Sequence, residues 1–256
     1  MLLTIDIGNS QIVWGIFDKN TLVSSWRIAT DSTKTADEYG ILFLSLMNTQ
    51  QIQPKDLIGT IISSVVPPVT HIFNQVVETF FHHTPLIVTS DYPFGLTLEY
   101  PLPDEIGTDR LVNAAGAYAQ YHTGLVIVDF GTATTFCTVT KSGAYLGGAI
   151  APGLKSSANS LHLLTAKLPS VDLVKPKQVI GTDTVSSMQS GLIFGYTGLV
   201  DELVTRIQEE VGHTLLVIAT GGLASVIGPI SRTIQEIRPF LTLEGLELLF
   251  RRKRSH

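Results

Sequence analysis

Short runs of apolar and β-branched residues alternate along the chain with longer stretches that have helical spacing. A short run of such residues bounded by turn residues predicts a strand, and apolar residues three or four positions apart predict a helix. We predict strands at 2–5, 12–17, 22–28, 57–63, 86–89, 125–128, 135–140, 144–150 and 215–219, and helices at 37–47, 69–81, 109–121, 154–167, 185–211 and 223–226. Strands that alternate with helices in this way are typical of an α/β protein.

The chain contains one long-period duplication. The apolar run 2–5 leads into Asp6-Ile7-Gly8-Asn9-Ser10, and the run 125–128 leads into Asp129-Phe130-Gly131-Thr132-Ala133. In each copy a second strand follows, and the next turn begins 12 residues after the aspartate, at Asp18 and at Lys141. The two copies predict two similar halves, 1–121 and 122–256, each with its own sheet and with a cleft between them.

The turn that ends the first strand of each half carries groups that suit a phosphate. A glycine beside the aspartate lets the backbone approach a ligand closely, and successive N–H groups of such a turn form an anion-binding nest. Short hydrogen-bond donors are added by Asn9, Ser10, Thr132 and Thr134. One such turn alone is typical of any strand-to-strand connection. Two copies in matching register favour a site in which both halves hold the phosphates of one nucleotide.

A third glycine turn, Ala219-Thr220-Gly221-Gly222-Leu223, follows an apolar strand and opens a predicted helix. At this position the backbone can pass close to the base or ribose of a nucleotide. The alternative is an ordinary strand-to-helix turn without a ligand, which has the same sequence pattern. The chain has neither the G-x-G-x-x-G nor the G-x-x-x-x-G-K-[ST] spacing. Their absence disfavours dinucleotide-binding and P-loop proteins.

Composition excludes several classes of protein. Hydrophobic residues make up 44% of the chain and charged residues 15%, which excludes a disordered chain. The net charge of −5 offers no basic field to a nucleic-acid backbone. The one basic run, 251–254, is predicted to be a solvated tail, with a nucleic-acid arm as the alternative. Because the sequence starts with an apolar strand and its uncharged stretches contain prolines and polar residues, we expect a cytoplasmic protein without a membrane span.

The single cysteine and the seven histidines do not indicate a metal centre. A lone cysteine excludes an internal disulfide and a multi-cysteine zinc site. Cys137 lies in a predicted strand, where a buried and small hydrophobic side chain is expected. The histidines lack metal-ligand spacing to acidic residues, so that surface or structural roles are expected for them.

Four motifs occur in a fixed order along the chain. They are Asp6-x-Gly8-Asn9-Ser10, Gly107-Thr108-Asp109-Arg110, Asp129-x-Gly131-Thr132-Ala133-Thr134 and Gly148-Ala149-Ile150-Ala151-Pro152-Gly153. This series resembles the type III pantothenate kinases, which belong to the acetate and sugar kinase, Hsp70 and actin superfamily. The similarity continues to Thr220-Gly221-Gly222 and covers nearly the whole chain. Ser10 stands where the family often has threonine, and Thr108 occupies a variable position.

The resemblance implies a duplicated, two-lobed actin-like (ribonuclease H-like) ATPase fold, with a mixed sheet in each half and an interlobe cleft. It implies transfer of the ATP γ-phosphoryl group to the primary hydroxyl of pantothenate, the first step of coenzyme A synthesis, by a homodimer. One alternative is another small-molecule kinase of the superfamily, because two phosphate turns do not fix the acceptor. A catalytically silent nucleotide-binding regulator is the other, and the retained Asp109 and Arg110 argue against it.

The resemblance also assigns the site residues. The implied ATP ligands are Asp6, Ile7, Gly8, Asn9, Ser10, Gln11, Ile12, Val13 and Thr132, and the implied pantothenate ligands are Tyr100, Gly107, Thr108, Asp109, Arg110 and Thr184. Structural alternatives are a half-buried aromatic residue for Tyr100 and a helix N-cap for Thr184. Asp129 matches the ligand of a monovalent cation, potassium or ammonium. Because carboxylates near a triphosphate need a cation between them, Mg²⁺ that arrives with ATP is expected at Asp6 through a water.

Asp109 is the expected catalytic residue. It lies at the predicted start of a helix, where the helix dipole is expected to keep its carboxylate ionised. Such a carboxylate is a weak base, but a loose phosphoryl-transfer transition state releases the proton late, so that orientation is the main task of the acceptor. The alternative role is an ordinary first-turn helix acid. Arg110 has five donors that suit a carboxylate or a phosphoryl oxygen.

Overall fold

The computed structural model describes residues 1–254. The strands are β1 (Leu2–Ile7), β2 (Gln11–Asp18), β3 (Thr21–Ala29), β4 (Gly59–Ser64), β5 (Leu86–Ile87), β6 (Thr97–Leu98), β7 (Leu125–Phe130), β8 (Ala133–Val139), β9 (Ala144–Pro152), β10 (Leu216–Gly221) and β11 (Glu236–Ile237). The helices are α1 (Ala36–Asn48), α2 (Pro67–Phe81), α3 (Thr108–Tyr121), α4 (Leu154–Leu163), α5 (Thr184–Val211), α6 (Ala224–Ile227) and α7 (Leu241–Arg254). None of the described helices combines the length and the apolar character needed to cross a membrane.

The two sheets repeat one topology. The first has the strand order β3-β2-β1-β4-β5, and the second has β9-β8-β7-β10-β11 with β6 added beyond β9. In each sheet the first strand of the repeat is antiparallel to the second strand and parallel to the fourth. Asp6 pairs with Ser63 across β1 and β4, and Asp129 pairs with Thr220 at the matching position across β7 and β10. The predicted α/β duplication with a mixed sheet in each half is therefore confirmed.

The chain divides into two compact units, each made of more than one chain segment. The duplication in the sequence predicts two continuous halves, 1–121 and 122–256. The first unit contains Met1–Gly95, Leu102–Gly116 and the chain from Leu241, and the second contains Leu96–Pro101 and Ala117–Phe240. Two long-range contacts explain the difference. Strand β6 pairs with β9 of the second unit, and α7 packs on the sheet of the first unit.

The core of the first unit lies between its sheet and helices α1 and α2. Leu3, Ile5 and Ile7 of β1 alternate into this core, as expected for a strand with a period of two. An aromatic stack continues the core, because the Trp14 and Phe43 rings lie 4.0 Å apart and nearly parallel. Strand alternation therefore turns the side chain of Asp6 to the other face of the sheet.

Helix α7 packs on that other face of the first sheet. A Cβ at Gly59 would lie 2.7 Å from the ring of Phe250, and a Cβ at Gly15 would lie 3.0 Å from Leu243, so glycines let the helix approach the strands closely. The basic run 251–254 forms the last turn of α7 instead of a free tail, but three of its four residues are exposed, as expected of a solvated run. Arg252, the partly buried one, donates to the carbonyl oxygen of Phe94 at 2.8 Å.

The core of the second unit lies between its sheet and helices α4, α5 and α6. Val126, Val128 and Phe130 of β7 face this core, and Asp129 alternates to the opposite face, as Asp6 does in the first unit. Helix α4 ends at Leu163 rather than at the predicted Lys167. Cys137 is buried in β8, as predicted.

Candidate functional site

The first aspartate loop, residues 6–11, joins β1 to β2. The N–H group of Gly8 donates to the carbonyl oxygen of Gln11 at 3.0 Å, which closes a tight turn with Asn9 and Ser10 exposed at its tip. Asp6 is partly buried at the end of β1, and its Oδ1 atom is sealed from solvent. The loop therefore presents a carboxylate and several short donors at one end of the strand.

The first turn of α3 is attached to the same edge of the first sheet. Ser63, the ladder partner of Asp6, has its Oγ atom 3.2 Å from Oγ1 of Thr108. The Thr108 hydroxyl donates to the carbonyl oxygen of Ser64, also at 3.2 Å. These contacts hold the helix turn that carries Asp109 at the strand end that carries Asp6.

Asp109 lies in the first turn of α3, as predicted, and its Oδ1 atom accepts a hydrogen bond from the N–H group of Arg110 at 2.8 Å. Burial raises the pKa of Asp109 above its ordinary value and outweighs the lowering by the Arg110 N–H group and the Arg110 charge. Desolvation therefore opposes the helix terminus, which was expected to keep this carboxylate ionised. A carboxylate with a raised pKa is a stronger proton acceptor.

Gly107 makes room for that carboxylate. Its carbonyl oxygen accepts the N–H groups of Arg110 and Leu111, so that it caps the start of α3. A Cβ at Gly107 would lie 2.5 Å from Oδ1 of Asp109, which is closer than any ordinary contact. The glycine of this motif is therefore required by the position of the neighbouring carboxylate.

The second aspartate loop, residues 129–133, joins β7 to β8 in the same way. The N–H group of Gly131 donates to the carbonyl oxygen of Ala133 at 3.1 Å, and Gly131 and Thr132 are exposed. The second loop is one residue shorter than the first. The last paired residues before the loop are Phe130 and Thr134 in the second unit, and Ile7 and Ile12 in the first unit.

Gly221, from the third predicted glycine turn, lies against the carboxylate of Asp129. Its φ of +88° is in the left-handed region, and a Cβ there would lie 2.4 Å from Oδ1 of Asp129. The same Cβ would lie 2.7 Å from both the amide nitrogen and the carbonyl oxygen of Phe130. Gly221 therefore packs directly against the Asp129 carboxylate and the Phe130 backbone, and the structure leaves no room for a side chain at this position.

Tyr100 and Thr184 belong to the second unit, whereas the motif from Gly107 to Arg110 belongs to the first. Tyr100 is partly buried, and its ring would lie 3.1 Å from a Cβ at Gly147. Thr184 is exposed and is the first residue of α5, but it is not the N-cap. Asp183 is the cap, because its carboxylate accepts the N–H group of Ser186 at 2.9 Å.

Sequence reasoning missed the residues that hold these elements in place. Ser63 and Ser64 attach α3 to the sheet, and Ser156 donates to the carbonyl oxygen of Thr132 at 2.9 Å. Single serines belong to no motif, and only the strand pairing could have indicated Ser63, as the neighbour of Asp6. Within residues 1–254 no group of three His, Cys, Asp or Glu side chains is arranged to hold a metal ion.

Comparison with known folds agrees with the strand topology. A Campylobacter jejuni structure described as a conserved Baf family transcriptional activator aligns with a TM-score of 0.61 at 16% identity, covering 99% of this chain and 100% of that one. A ROK hexokinase from Thermus thermophilus aligns with a TM-score of 0.51 at 10% identity, covering 100% of this chain and 99% of that one. The chain has the duplicated α/β fold of the actin-like ATPases and sugar kinases.

Comparison with sequences is more specific. The family model described as type III pantothenate kinase matches residues 2–206. The type III pantothenate kinase of Pelobacter propionicus is 51% identical over 254 residues, which is 99% of this chain and 100% of that protein. The enzyme of the same name from Geobacter sulfurreducens is 48% identical over 255 residues, with 100% of both chains covered. Similarity at this level over the full length leads to one conclusion: the chain belongs to the type III pantothenate kinase family.

Proposed function

We propose that this chain transfers the γ-phosphoryl group of ATP to the primary hydroxyl of pantothenate and forms 4'-phosphopantothenate. Membership of the family supports the reaction, and one local observation carries the mechanism. The carboxyl group of Asp109 has a raised pKa. It lies in the first turn of α3, and the contact between Thr108 and Ser63 attaches this turn to the end of the strands that carries Asp6. A proton acceptor is thus attached to the same sheet edge as a loop that suits phosphates.

In this proposal Asp109 accepts the proton of the pantothenate hydroxyl as that oxygen bonds to the γ-phosphorus and the bond to the ADP oxygen breaks. Because the transition state is loose, the carboxylate chiefly orients the hydroxyl and takes the proton late. The raised pKa of Asp109 aids this step, since the deprotonated carboxylate binds a proton more firmly than an exposed aspartate does. The guanidinium of Arg110 suits the pantothenate carboxylate or a phosphoryl oxygen.

The remaining ligands are proposed from the family motifs. ATP is held by the first aspartate loop with its neighbours in β2 and by Thr132 of the second aspartate loop. Pantothenate is held by Gly107, Thr108, Asp109 and Arg110, together with Tyr100 and Thr184. The Thr108 hydroxyl already donates a hydrogen bond to the carbonyl oxygen of Ser64. We therefore expect the backbone of Thr108, and not its hydroxyl, to contact pantothenate.

Two cations fit the residues present. Asp6, with its carboxylate at the end of β1, would hold Mg²⁺ through a water, and Mg²⁺ neutralises charge on the phosphates. Asp129, which matches the family's ligand for a monovalent cation, would hold potassium or ammonium through its carboxylate. Oxygen donors of this kind suit hard cations.

We also propose that the protein is a homodimer. The segment 161–185 exposes an unusual number of apolar side chains, and Leu163, Leu164, Val179 and Ile180 are at least 68% exposed. Next to it in sequence, helix α5 has Gly191, Gly195 and Gly198, where an added Cβ would meet nothing within 4 Å. Exposed apolar side chains in this number favour an interaction site, and a second copy of the chain is the proposed occupant.

The proposed reaction is tested by incubating the protein with MgATP and, separately, pantothenate, glucose, N-acetylmannosamine and acetate. We expect ADP and phosphopantothenate with pantothenate alone, and activity in potassium buffer that is lost in sodium buffer. Phosphorylation of a sugar or of acetate instead of pantothenate would show that the chain is another small-molecule kinase with this fold. Equal activity in sodium and potassium would remove the cation role of Asp129.

A further inference from the structure

Thr30 is the residue that follows β3, and it holds the first aspartate loop by two hydrogen bonds. Its hydroxyl donates to the carbonyl oxygen of Gly8 at 2.6 Å. Its backbone N–H group donates to the carbonyl oxygen of Ser10 at 3.1 Å. Both carbonyl groups belong to the tip of the loop, so a single residue fixes the loop on both sides of Asn9.

The second repeat has a related arrangement at the same position, with both hydrogen bonds made to one carbonyl oxygen. Gly153 is the residue that follows β9, and its N–H group donates to the carbonyl oxygen of Thr132 at 3.2 Å. The hydroxyl comes from Ser156, which donates to that same oxygen at 2.9 Å. In both repeats the residue after the third strand, aided by one hydroxyl, therefore holds a carbonyl of the aspartate loop.

The hydrogen bond to Gly8 determines which way the next N–H group points. A trans peptide unit is planar, with its C=O and N–H groups on opposite sides. When the Gly8 carbonyl is directed at Thr30, the N–H group of Asn9 is directed away from Thr30. Backbone N–H groups that all point to one side are what an anion-binding turn requires.

We propose that Thr30 is a positioning residue for phosphoryl transfer, whose hydroxyl orients the Gly8–Asn9 peptide so that the Asn9 N–H group meets a phosphate of ATP. This inference rests on the proposed function and deepens it, because it assigns a role to a residue outside the four motifs. It predicts that loss of the Thr30 hydroxyl weakens ATP binding and leaves the KM for pantothenate unchanged. Thr30 belongs to the same unit as the first aspartate loop, so the argument involves no contact between units.

The test compares Thr30→Val, which removes the hydroxyl and keeps the N–H group, with Thr30→Ser, which restores the hydroxyl. Thr49→Val is the matched control, because the Thr49 hydroxyl also donates to a backbone carbonyl, that of Leu46, at 2.6 Å in the same unit. ATP affinity is measured by calorimetry with MgATP alone, and KM and kcat are measured for both substrates.

For Thr30→Val we expect ATP affinity to fall about tenfold, as for loss of one hydrogen bond to a pre-ordered loop. The KM for pantothenate should stay unchanged, and Thr30→Ser should recover most of the loss. The proposal is overturned if Thr30→Val binds ATP as Thr49→Val does, or if the KM values for both substrates rise together. Should Thr30→Val fail to fold, Ser156→Ala provides the second variant, because it removes the hydroxyl that holds the Thr132 carbonyl of the second aspartate loop. It must weaken ATP binding, and unchanged affinity would count against the inference. Because binding of MgATP needs no acceptor, a protein that binds ATP but ignores pantothenate would refute the proposed function and leave the role of Thr30 intact.

Discussion

Replacing Gly221 by alanine tests whether the position of the Asp129 carboxylate matters for activity. Gly221 has a φ of +88°, and Gly212, at the end of α5, has a φ of +83°. Alanine at either position adopts the same left-handed conformation, which costs about 1–2 kcal/mol. At Gly212 nothing lies within 4 Å of the new Cβ, so Gly212→Ala reports the backbone strain alone.

The magnitude expected for Gly221→Ala follows from the contact distances. The new Cβ would lie 2.4 Å from Oδ1 of Asp129 and 2.7 Å from the amide nitrogen and carbonyl oxygen of Phe130. Ordinary contacts begin at 3.4 Å, so the carboxylate must move by about 1 Å and the Phe130 backbone by about 0.7 Å. A displacement of that size in a positioned group can reduce the rate about a hundredfold. The strain common to both variants should lower Tm by about 2–4 °C for each kcal/mol.

The assay is a potassium titration at saturating MgATP and pantothenate, with Tm measured by calorimetry. We expect Gly221→Ala to need more potassium for half-maximal activity and to lose turnover, whereas Gly212→Ala loses only stability. If Gly221→Ala folds and shows the potassium dependence and turnover of Gly212→Ala, then the position of the Asp129 carboxylate has no role in the reaction.

Three further predictions concern the catalytic aspartate, a buried carboxylate and the exposed apolar segment. Asp109→Asn should bind MgATP normally and lose roughly a hundred- to ten-thousandfold in turnover; near-normal turnover would remove Asp109 from the mechanism. In the wild type, kcat/KM should fall with decreasing pH through a pKa above the ordinary aspartate value, because burial raises that pKa. Asp201 accepts hydrogen bonds from Ser231, Arg232 and Thr233, which hold its pKa low despite the opposing desolvation, so Asp201→Asn should cost about 1–3 kcal/mol of stability at pH 7. Because a lowered folded-state pKa stabilises only above the unfolded value, the Tm difference from wild type should shrink below about pH 4, and a constant difference would contradict the argument. Ile180→Glu should shift the protein from dimer to monomer in sedimentation velocity, and an unchanged sedimentation coefficient would exclude Ile180 from the interface.

The duplicated fold could be predicted from the sequence because its signals are local. Each repeat starts with an apolar strand that ends at an aspartate and a glycine, and the 12-residue spacing to the next turn preserves the register. The start of α3 was predictable to within one residue, since the helix predicted from residue 109 begins at Thr108. The ends of elements were less predictable, and α4 stops four residues before the predicted Lys167.

Contacts between distant parts of the sequence could not be predicted. Helix α7 has apolar residues at helical spacing, Leu243, Leu246 and Leu249, but the basic run at its end suggested a tail. The raised pKa of Asp109 depends on burial, which comes from packing and not from its place in a motif. Thr30 was overlooked because a threonine after a strand has no distinctive pattern, and its role depends on the fold of the loop.

The position of α7 in the chain also bears on how the protein is made. The sheet of the first unit is complete in sequence by Ile87, yet the helix that covers one of its faces begins at Leu241. At a translation rate of about 5–20 residues per second, that face stays uncovered for about 8–30 seconds while the second unit is synthesised. A nascent chain that is halted before residue 241 therefore carries a finished second unit and a first unit that still exposes apolar surface to chaperones.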